Sequence, residues 1–510
     1  MQTDEHTYPR RLAVLLGVLS IFRILYIIYG PFELSADEAH YWTWSRHLDW
    51  SYYSKGPMIA WLIYASTQLF GNNEFGVRAF AVVCSALSSI ILFRLGREMY
   101  DGKTGFWAAV LVQIVPLYAV FGIFFSIDSP YIFFWILSLF LFWKAYRAET
   151  EATGEQKAVV WWVLLGLSAG LGMLTKYTMA LFYFSALLFM LFDRNARRLW
   201  FKKGPYISMV ISLIVFSPVI YWNAKHDWVT VKHTAGQAHM GDGLRISLHS
   251  IIDYLGSQLG AVTPVLLVLM LIASWKMRKE DKGSLLFWFM VPTLAFFGLK
   301  SIQGTVQGNW AIAGYAAGFI PVSHYYLKNI ASMHGKKRRL IISAPLVALL
   351  VTTLAYFPLV IPLPPEKHPV RKLMEGRDVG RRMSAIYKEM SAEGPVFVMS
   401  DTYQQSSLLS FYMEGNPPTY CLWIGRRMTQ FDIWSGFQKL VGQNVLFTRI
   451  NEHNAESTTR LGNISAYLGA AFDHCERQDI DIQTRMELTT YAVFRCYAYN
   501  GLEPARDTTY

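Results

Sequence analysis

Long apolar segments are the feature of this sequence that most constrains its fold. The 510 residues are 53% hydrophobic and only 16% charged, whereas soluble globular chains carry about 25% charged residues. A membrane-spanning helix needs about 20 mostly apolar residues. Eleven segments approach or exceed this length, at 11–30, 75–95, 104–122, 129–146, 158–174, 177–192, 205–222, 251–275, 284–299, 309–327 and 339–362. The pattern predicts a polytopic α-helical membrane protein.

Lysine and arginine are concentrated in alternate loops between these predicted spans. The basic loops lie near residues 10–11, 97–103, 144–157, 194–203, 276–282 and 328–339, and the intervening loops carry far fewer basic residues. Because cytoplasmic loops are enriched in Lys and Arg, the N-terminus is expected in the cytoplasm. Eleven spans then leave the chain after Pro362 outside. The first apolar run is expected to stay as a span rather than be cleaved as a signal peptide.

A short acidic motif directly follows the first predicted span. It reads Ser35-Ala36-Asp37-Glu38-Ala39-His40-Tyr41-Trp42. Ser35 and Glu38 have the spacing of a capping box, so a helix is expected to begin here. Asp37 and Glu38 would lie in its first turn, beside free backbone N–H groups and the positive end of the helix dipole. The two acids either only stabilise this helix start or also take part in chemistry.

Charged residues on the predicted outer side form a chemically consistent set. Asp37, Glu38 and Asp128 offer groups that accept a proton or stabilise charge. Lys55 and Lys176 supply positive charge at the membrane surface, which suits a substrate with a phosphate head and a lipid tail. Two of these residues have simpler interpretations, Asp128 as a helix N-cap before Ser129-Pro130 and Lys55 as an interfacial lysine.

Cofactor and nucleic-acid motifs are scarce in the sequence. The inner loops carry no P-loop or dinucleotide-binding glycine motif, so nucleotide-driven chemistry on that side has no support. His226, His233 and His239 lie in the outer loop 223–250 without a recognised metal-ligand spacing. A divalent metal stays an open alternative, no other cofactor is indicated, and no nucleic-acid partner is expected.

Residues 363–510 differ in character and predict a small α/β domain outside the membrane. Strand-like runs lie at 396–400, 444–448 and 491–496, with helical patterns at 371–391 and 402–413. The linker Ile361-Pro362-Leu363-Pro364-Pro365 is stiff and separates this domain from the membrane module 1–362. Cys475 and Cys496 either form a disulfide in an oxidising compartment or stay as two thiols.

The motifs resemble those of the GT-C glycosyltransferases, most closely the bacterial aminoarabinose-transferase-like branch, which is related to the protein O-mannosyltransferases. The resemblance covers roughly residues 10–330 and begins at Asp37-Glu38-Ala39-His40-Tyr41-Trp42. It continues at Tyr52-Tyr53-Ser54-Lys55-Gly56-Pro57-Met58, Phe75-Gly76-Val77-Arg78, Asp128-Ser129-Pro130, Gly172-Met173-Leu174-Thr175-Lys176, Trp222-Asn223-Ala224-Lys225-His226-Asp227-Trp228 and Gly308-Asn309-Trp310. In the tail, the similar patterns are Ser400-Asp401-Thr402-Tyr403-Gln404 and Gln430-Phe431-Asp432-Ile433-Trp434.

This resemblance implies an inverting transfer of a sugar from a polyprenyl-phosphate carrier to an acceptor, which is lipid A or another glycan, lipid or protein. The reaction would take place at the periplasmic face of the bacterial inner membrane. The implied residues are Asp37, Glu38 and Asp128 as catalytic groups, Lys55 and Lys176 as contacts of the donor phosphate, and Tyr53, His40, Asn223, His226 and Asn309 as substrate contacts. A lipid or glycan transporter and an oligosaccharide ligase are the competing function classes.

Overall fold

The computed structural model describes residues 2–150, 155–237, 246–434, 436–451 and 454–504, and within these ranges most of the chain is helical. The helices before the C-terminal region are α1 Gln2–Tyr29, α2 Ala36–Ser45, α3 Met58–Phe70, α4 Glu74–Met99, α5 Gly102–Ile114, α6 Pro116–Val120, α7 Asp128–Thr150, α8 Glu155–Thr175, α9 Ala180–Phe192, α10 Lys203–Lys225, α11 Val229–Gln237, α12 Leu248–Val262, α13 Pro264–Met277, α14 Asp281–Lys300, α15 Ile312–Asn329 and α16 Gly335–Tyr356. The C-terminal elements are α17 Gly376–Ser391, β1 Val396–Ser400, α18 Tyr403–Tyr412, β2 Thr419–Cys421, β3 Asn444–Ile450, α19 Ala455–Ala471, β4 Phe472–Gln483 and β5 Leu488–Tyr499.

Seven helices in the described part of the chain are long and apolar enough to cross a membrane, namely α1, α4, α7, α8, α10, α14 and α16. The pair α12 and α13 passes the same test together but is bent by 92°. The segment 251–275, predicted as one span, therefore contains two helices rather than one continuous helix. The break falls at Thr263, where φ is +75°, and Pro264 opens α13. Proline disfavours a helical conformation in the residue before it and lacks the N–H that would continue α12. The number of eleven spans stays a prediction.

The chain divides into two compact units. The first unit comprises Met1–Ile28, Lys55–Leu62 and Arg78–Val360, and the second comprises Tyr29–Ser54, Ile63–Val77 and Ile361–Tyr510. The second unit therefore contains segments near the acidic motif as well as the C-terminal region. The domain boundary between residues 362 and 363 stays a prediction.

Close helix packing in the first unit depends on glycines of α8. A Cβ added at Gly170 would lie 2.6 Å from Val215 Cβ on α10, and one at Gly166 would lie 2.6 Å from the Ser208 carbonyl oxygen. These two glycines are four residues apart and therefore lie on one face of α8. Small residues at this spacing let membrane helices approach closely and gain van der Waals contact.

A buried arginine connects four helices of the first unit. Arg23 on α1 is 2% exposed, and its Nη1 donates to Gln113 Oε1 at 2.6 Å and to Ser85 Oγ at 2.8 Å. Its Nε donates to the Tyr356 hydroxyl at 3.3 Å. A charged group in apolar surroundings is costly unless it is hydrogen-bonded. Arg23 thereby ties α1 to α4, α5 and α16.

The C-terminal region forms a mixed five-stranded sheet in the order β2-β1-β3-β5-β4. Strand β1 pairs in parallel with β2 and β3, whereas β5 pairs antiparallel with both β3 and β4. Helices α17 and α18 match the predicted helical patterns, so the predicted small α/β domain is confirmed. Strand β4 was not predicted because its sequence is highly charged, as is common for strands at a sheet edge.

The structure contains the disulfide that the sequence left open. Cys475 on β4 and Cys496 on β5 occupy directly opposed positions of the antiparallel pair and are bonded to each other. The two other cysteines, Cys84 and Cys421, are buried thiols.

Replacing both bonded cysteines tests the structural contribution of this disulfide. The bond closes a loop with a sequence separation of 21, so the double variant Cys475→Ser/Cys496→Ser should lose about 3 kcal/mol of unfolding free energy. Denaturant titration of the purified chain measures this loss. A reductant should destabilise the wild-type protein and leave the double variant unchanged; equal sensitivity of both proteins would contradict the assignment.

Candidate active site

The acidic motif forms the start of α2 as a capping box. The Glu38 N–H donates to Ser35 Oγ at 3.2 Å, and the Ser35 N–H donates to Glu38 Oε2 at 2.9 Å. Glu38 is 1% exposed, whereas the neighbouring Asp37 is exposed. The geometry thus separates the two acids, since Glu38 is used in the cap and Asp37 presents its carboxylate at the surface of the second unit.

His40 lies one turn further along α2 and is enclosed by protein groups. The Trp44 indole N–H donates to His40 Nε2 at 3.1 Å, so Nε2 is unprotonated and Nδ1 carries the hydrogen. Nδ1 then donates to Ser407 Oγ on α18 at 3.1 Å. Burial lowers the pKa of His40 to about 3, which keeps the ring neutral. This environment favours a positioning role for His40 over the substrate contact that the sequence suggested.

Tyr53 is fixed by backbone and ring contacts in the second unit. Its N–H donates to Gln430 Oε1 at 2.6 Å, and its side chain is 4% exposed. The preceding Tyr52 stacks on Trp44 of α2 with ring centroids 4.4 Å apart. The segment that leads to Lys55 is therefore held firmly in place.

Lys55 opens the next segment of the first unit and is half-buried. The following Gly56 lies so close to the end of α8 that an added Cβ would be 2.0 Å from the Leu174 carbonyl oxygen. A side chain would be excluded at this position, which accounts for the glycine. Because Leu174 is two residues before Lys176, the backbone beside Lys55 contacts the segment that carries the second predicted phosphate-binding lysine.

Asp128, Lys176 and Asn309 form a buried cluster in the first unit. Lys176 Nζ lies 2.7 Å from Asp128 Oδ1, and Asn309 Nδ2 donates to Asp128 Oδ2 at 2.7 Å. The Lys176 ammonium also lies 5.2 Å from the ring centroid of Tyr131. Asp128 begins α7, and its two oxygens accept bonds from these side chains. The carboxylate is therefore a partner of Lys176 rather than a simple helix cap.

Asn223 and His226 lie at the end of α10, and Asn223 binds the next helix. Asn223 Oδ1 accepts from the Thr230 N–H at 3.2 Å, which joins α10 to α11. His226 stacks on Trp222 with ring centroids 4.0 Å apart, and its Nδ1 lies 2.8 Å from the Trp222 carbonyl oxygen. His239 lies outside the described residues. Within the described ranges no group of three His, Cys, Asp or Glu side chains is arranged to hold a metal ion.

The predicted site residues fall into two sets. Asp37, Glu38, His40 and Tyr53 belong to the second unit. The first unit contains Lys55, Asp128, Lys176, Asn223, His226 and Asn309. Hydrogen bonds join Asp128, Lys176 and Asn309 directly.

The sequence is similar to one family model and to several known glycosyltransferases. A family model described as dolichyl-phosphate-mannose-protein mannosyltransferase matches residues 54–222. Lipid A galacturonosyltransferase RgtD of Rhizobium johnstonii is 30% identical over 313 residues, which are 61% of this chain and 64% of that protein. An undecaprenyl phosphate-alpha-4-amino-4-deoxy-L-arabinose arabinosyl transferase of Pseudomonas paraeruginosa is 33% identical over 35% of this chain and 32% of that protein. The matched region thus spans less than two thirds of either relative.

Solved structures share the fold over most of the chain. ArnT from Cupriavidus metallidurans bound to undecaprenyl phosphate has a TM-score of 0.64 at 14% identity and covers 94% of this chain and 97% of its own. The Archaeoglobus fulgidus oligosaccharyltransferase in its apo form has a TM-score of 0.52 at 12% identity, covering 86% of this chain and 70% of its own. The resemblance to the GT-C glycosyltransferases is confirmed. The chain has the fold of these proteins and is a multi-pass membrane protein.

Three residues of the C-terminal domain contact the segment that begins with the acidic motif, and they were not predicted from the sequence. They are Tyr403, Ser407 and Gln430, whose partners are Asp37, His40 and Tyr53 respectively. Tyr403 and Gln430 fall within tail patterns that resemble the family, which is the signal that points to them. Ser407 carries no such signal, because a contact between residues more than 360 positions apart is not encoded in local spacing.

The neutral state of His40 has a measurable pH consequence. Unfolding returns its pKa to about 6.5, so the unfolded chain binds a proton that the folded chain does not, and stability falls as pH drops below 6.5. Between pH 7 and pH 5.5 the wild-type protein should lose about 1 kcal/mol more unfolding free energy than His40→Gln. Unfolding in detergent at both pH values measures this difference, and equal losses in the two proteins would contradict it.

Proposed function

We propose that this chain transfers a sugar from a polyprenyl-phosphate carrier to an acceptor such as lipid A, with inversion, at the periplasmic face of the bacterial inner membrane. The observation that carries the proposal is the buried Lys176–Asp128 ion pair beside the segment that bears Lys55. Two lysines near this position suit a lipid-linked phosphate. The named relatives, which are a lipid A galacturonosyltransferase and an undecaprenyl-phosphate arabinosyl transferase, support the donor and acceptor classes.

Each step of the reaction has a residue suited to it. The Asp37 carboxylate takes the proton from an acceptor hydroxyl, and the hydroxyl oxygen then forms a bond to the anomeric carbon of the sugar. The bond from that carbon to the phosphate oxygen breaks, and its electron pair stays on the carrier phosphate. Lys55 and Lys176 stabilise this phosphate, while Asp128 and Asn309 orient Lys176.

The energy for this chemistry is available without nucleotide hydrolysis. Aligning donor and acceptor for direct displacement supplies about 7–11 kcal/mol of the barrier. A preorganised positive charge at the leaving phosphate supplies about 3 kcal/mol. The carrier phosphate is itself the leaving group, so no further activation of the sugar is required. In this scheme Glu38 acts through the helix cap that presents Asp37.

The proposal includes a topology. The N-terminus lies in the cytoplasm, as the basic loops indicate, and the C-terminal domain from residue 363 lies in the periplasm. The Cys475–Cys496 disulfide supports this side for the C-terminal domain. Transfer of a single sugar is favoured over ligation of whole oligosaccharides because the fold likeness covers 97% of ArnT and only 70% of the oligosaccharyltransferase.

Substitution of Asp37 tests the catalytic assignment. Asp37→Asn should stay folded and inserted, because the exposed side chain is not part of the core, and it should lose sugar transfer. Sugar transfer is measured in proteoliposomes that contain lipid A as the acceptor. Two donors are tested, which are polyprenyl phosphate carrying 4-amino-4-deoxy-L-arabinose and polyprenyl phosphate carrying galacturonic acid. Asp49→Asn in the same outer loop is the matched control and should keep its activity. Near-normal turnover by Asp37→Asn would refute the assignment.

Substitution of Lys176 tests the phosphate contact. Lys176→Ala should reduce kcat/KM for the donor about 100-fold, which corresponds to the loss of about 3 kcal/mol of phosphate stabilisation. Lys225→Ala is the control and should keep the wild-type kcat/KM, because this lysine lies over the Tyr221 ring at the end of α10.

Loss of Lys176 also leaves Asp128 buried with an uncompensated charge, which lowers stability. The double variant Lys176→Ala/Asp128→Asn should recover stability without recovering donor turnover. If Lys176→Ala keeps the wild-type kcat and donor KM, the lysine does not contact the donor phosphate.

A further inference from the structure

The segment before the acidic motif is attached to the C-terminal domain. The Glu33 N–H donates to the Leu373 carbonyl oxygen at 2.8 Å, and the Arg377 N–H donates to Glu33 Oε2 at 3.0 Å. The Leu34 N–H donates to the Tyr412 hydroxyl at 2.6 Å. The start of α2 is thus held by residues that follow it by more than 330 positions.

One face of α18 then runs along α2. Tyr403, Ser407 and Phe411 are four residues apart and therefore lie on a single stripe of α18. Ser407 accepts from His40 Nδ1, and Phe411 meets the Trp42 ring edge-on with centroids 5.0 Å apart. The two helices are consequently fixed in register over about two turns.

Tyr403, at the start of α18, is the residue of that stripe that reaches the exposed acid. Its hydroxyl donates to Asp37 Oδ1 at 3.5 Å, and its ring lies 4.6 Å from the His40 ring. Burial, together with the Asp37 charge, raises the pKa of Tyr403 to about 12, so the hydroxyl remains a donor at physiological pH. Arg427 is the other charged group that acts on this tyrosine.

We propose that the C-terminal domain takes part in the reaction through Tyr403, a positioning residue that orients the Asp37 carboxylate toward the acceptor hydroxyl. The inference rests on the proposed function of Asp37 and adds a role for the domain. The His40 ring supports Tyr403 from one side and is itself locked by Trp44 and Ser407. The exposed Asp37 carboxylate thereby accepts from a donor on a rigid aromatic ring.

Removal of the Tyr403 hydroxyl tests the proposal. Tyr403→Phe keeps the ring packing and loses the donor, so kcat should fall about tenfold while the donor KM stays the same. The pH at which activity falls on the acid side should rise, because the carboxylate loses a donor that stabilises its charged form. The control variant is Tyr467→Phe, which removes a hydroxyl that donates to the Leu502 carbonyl oxygen. Tyr403→Phe should lower the thermal midpoint of unfolding no more than this control does.

A double-mutant cycle separates positioning from a purely structural effect. In an Asp37→Glu background the carboxylate is displaced from Tyr403, so Tyr403→Phe should reduce kcat much less than it does in the wild-type protein. An equal reduction in both backgrounds would overturn the inference, as would unchanged kcat and pH profile in folded Tyr403→Phe. In either case an inactive Asp37→Asn would leave the proposed function intact, whereas an active Asp37→Asn would refute that function itself.

Discussion

The ion pair between Lys176 and Asp128 is the interaction on which the proposed chemistry depends. An ammonium group with so little exposure is stable only with a close partner, and Asp128 supplies one at 2.7 Å. Asn309 binds the second carboxylate oxygen, so the acid is held from two sides. In the proposed reaction, the pair keeps a positive charge in place for the carrier phosphate, without the cost of reorganising the site at the moment of reaction.

The C-terminal domain packs against the segment that carries the acidic motif. Its helix α18 contacts α2 through Ser407 and Phe411, and Tyr412 binds the backbone just before the motif. The second compact unit accordingly unites the motif segment with the C-terminal sheet. His40 lies between Trp44 and Ser407 and is neutral near neutral pH, so this packing carries no charge there.

Local physical signals account for the parts of this structure that were predictable from the sequence. Apolar segments long enough to span a membrane indicated the helical module, the Ser35–Glu38 spacing indicated the capping box, and alternating runs indicated β1, β3 and β5. Pro264 is the local cause of the bend at Thr263, but the apolar run continues through it, so the hydropathy pattern did not indicate the bend. The contacts of Tyr403 and Ser407 were not predictable, because they arise from the tertiary packing of distant helices.

The most direct test of the central claim is mass spectrometry of membrane lipids and surface glycans from bacteria with and without this chain. We expect that loss of the chain removes one sugar from an envelope acceptor and leaves its polyprenyl-phosphate sugar donor in place or accumulated. Wild-type protein should restore the sugar, whereas Asp37→Asn at equal abundance should not. Identical glycan and lipid profiles in the presence and absence of the chain would contradict the proposed transfer reaction.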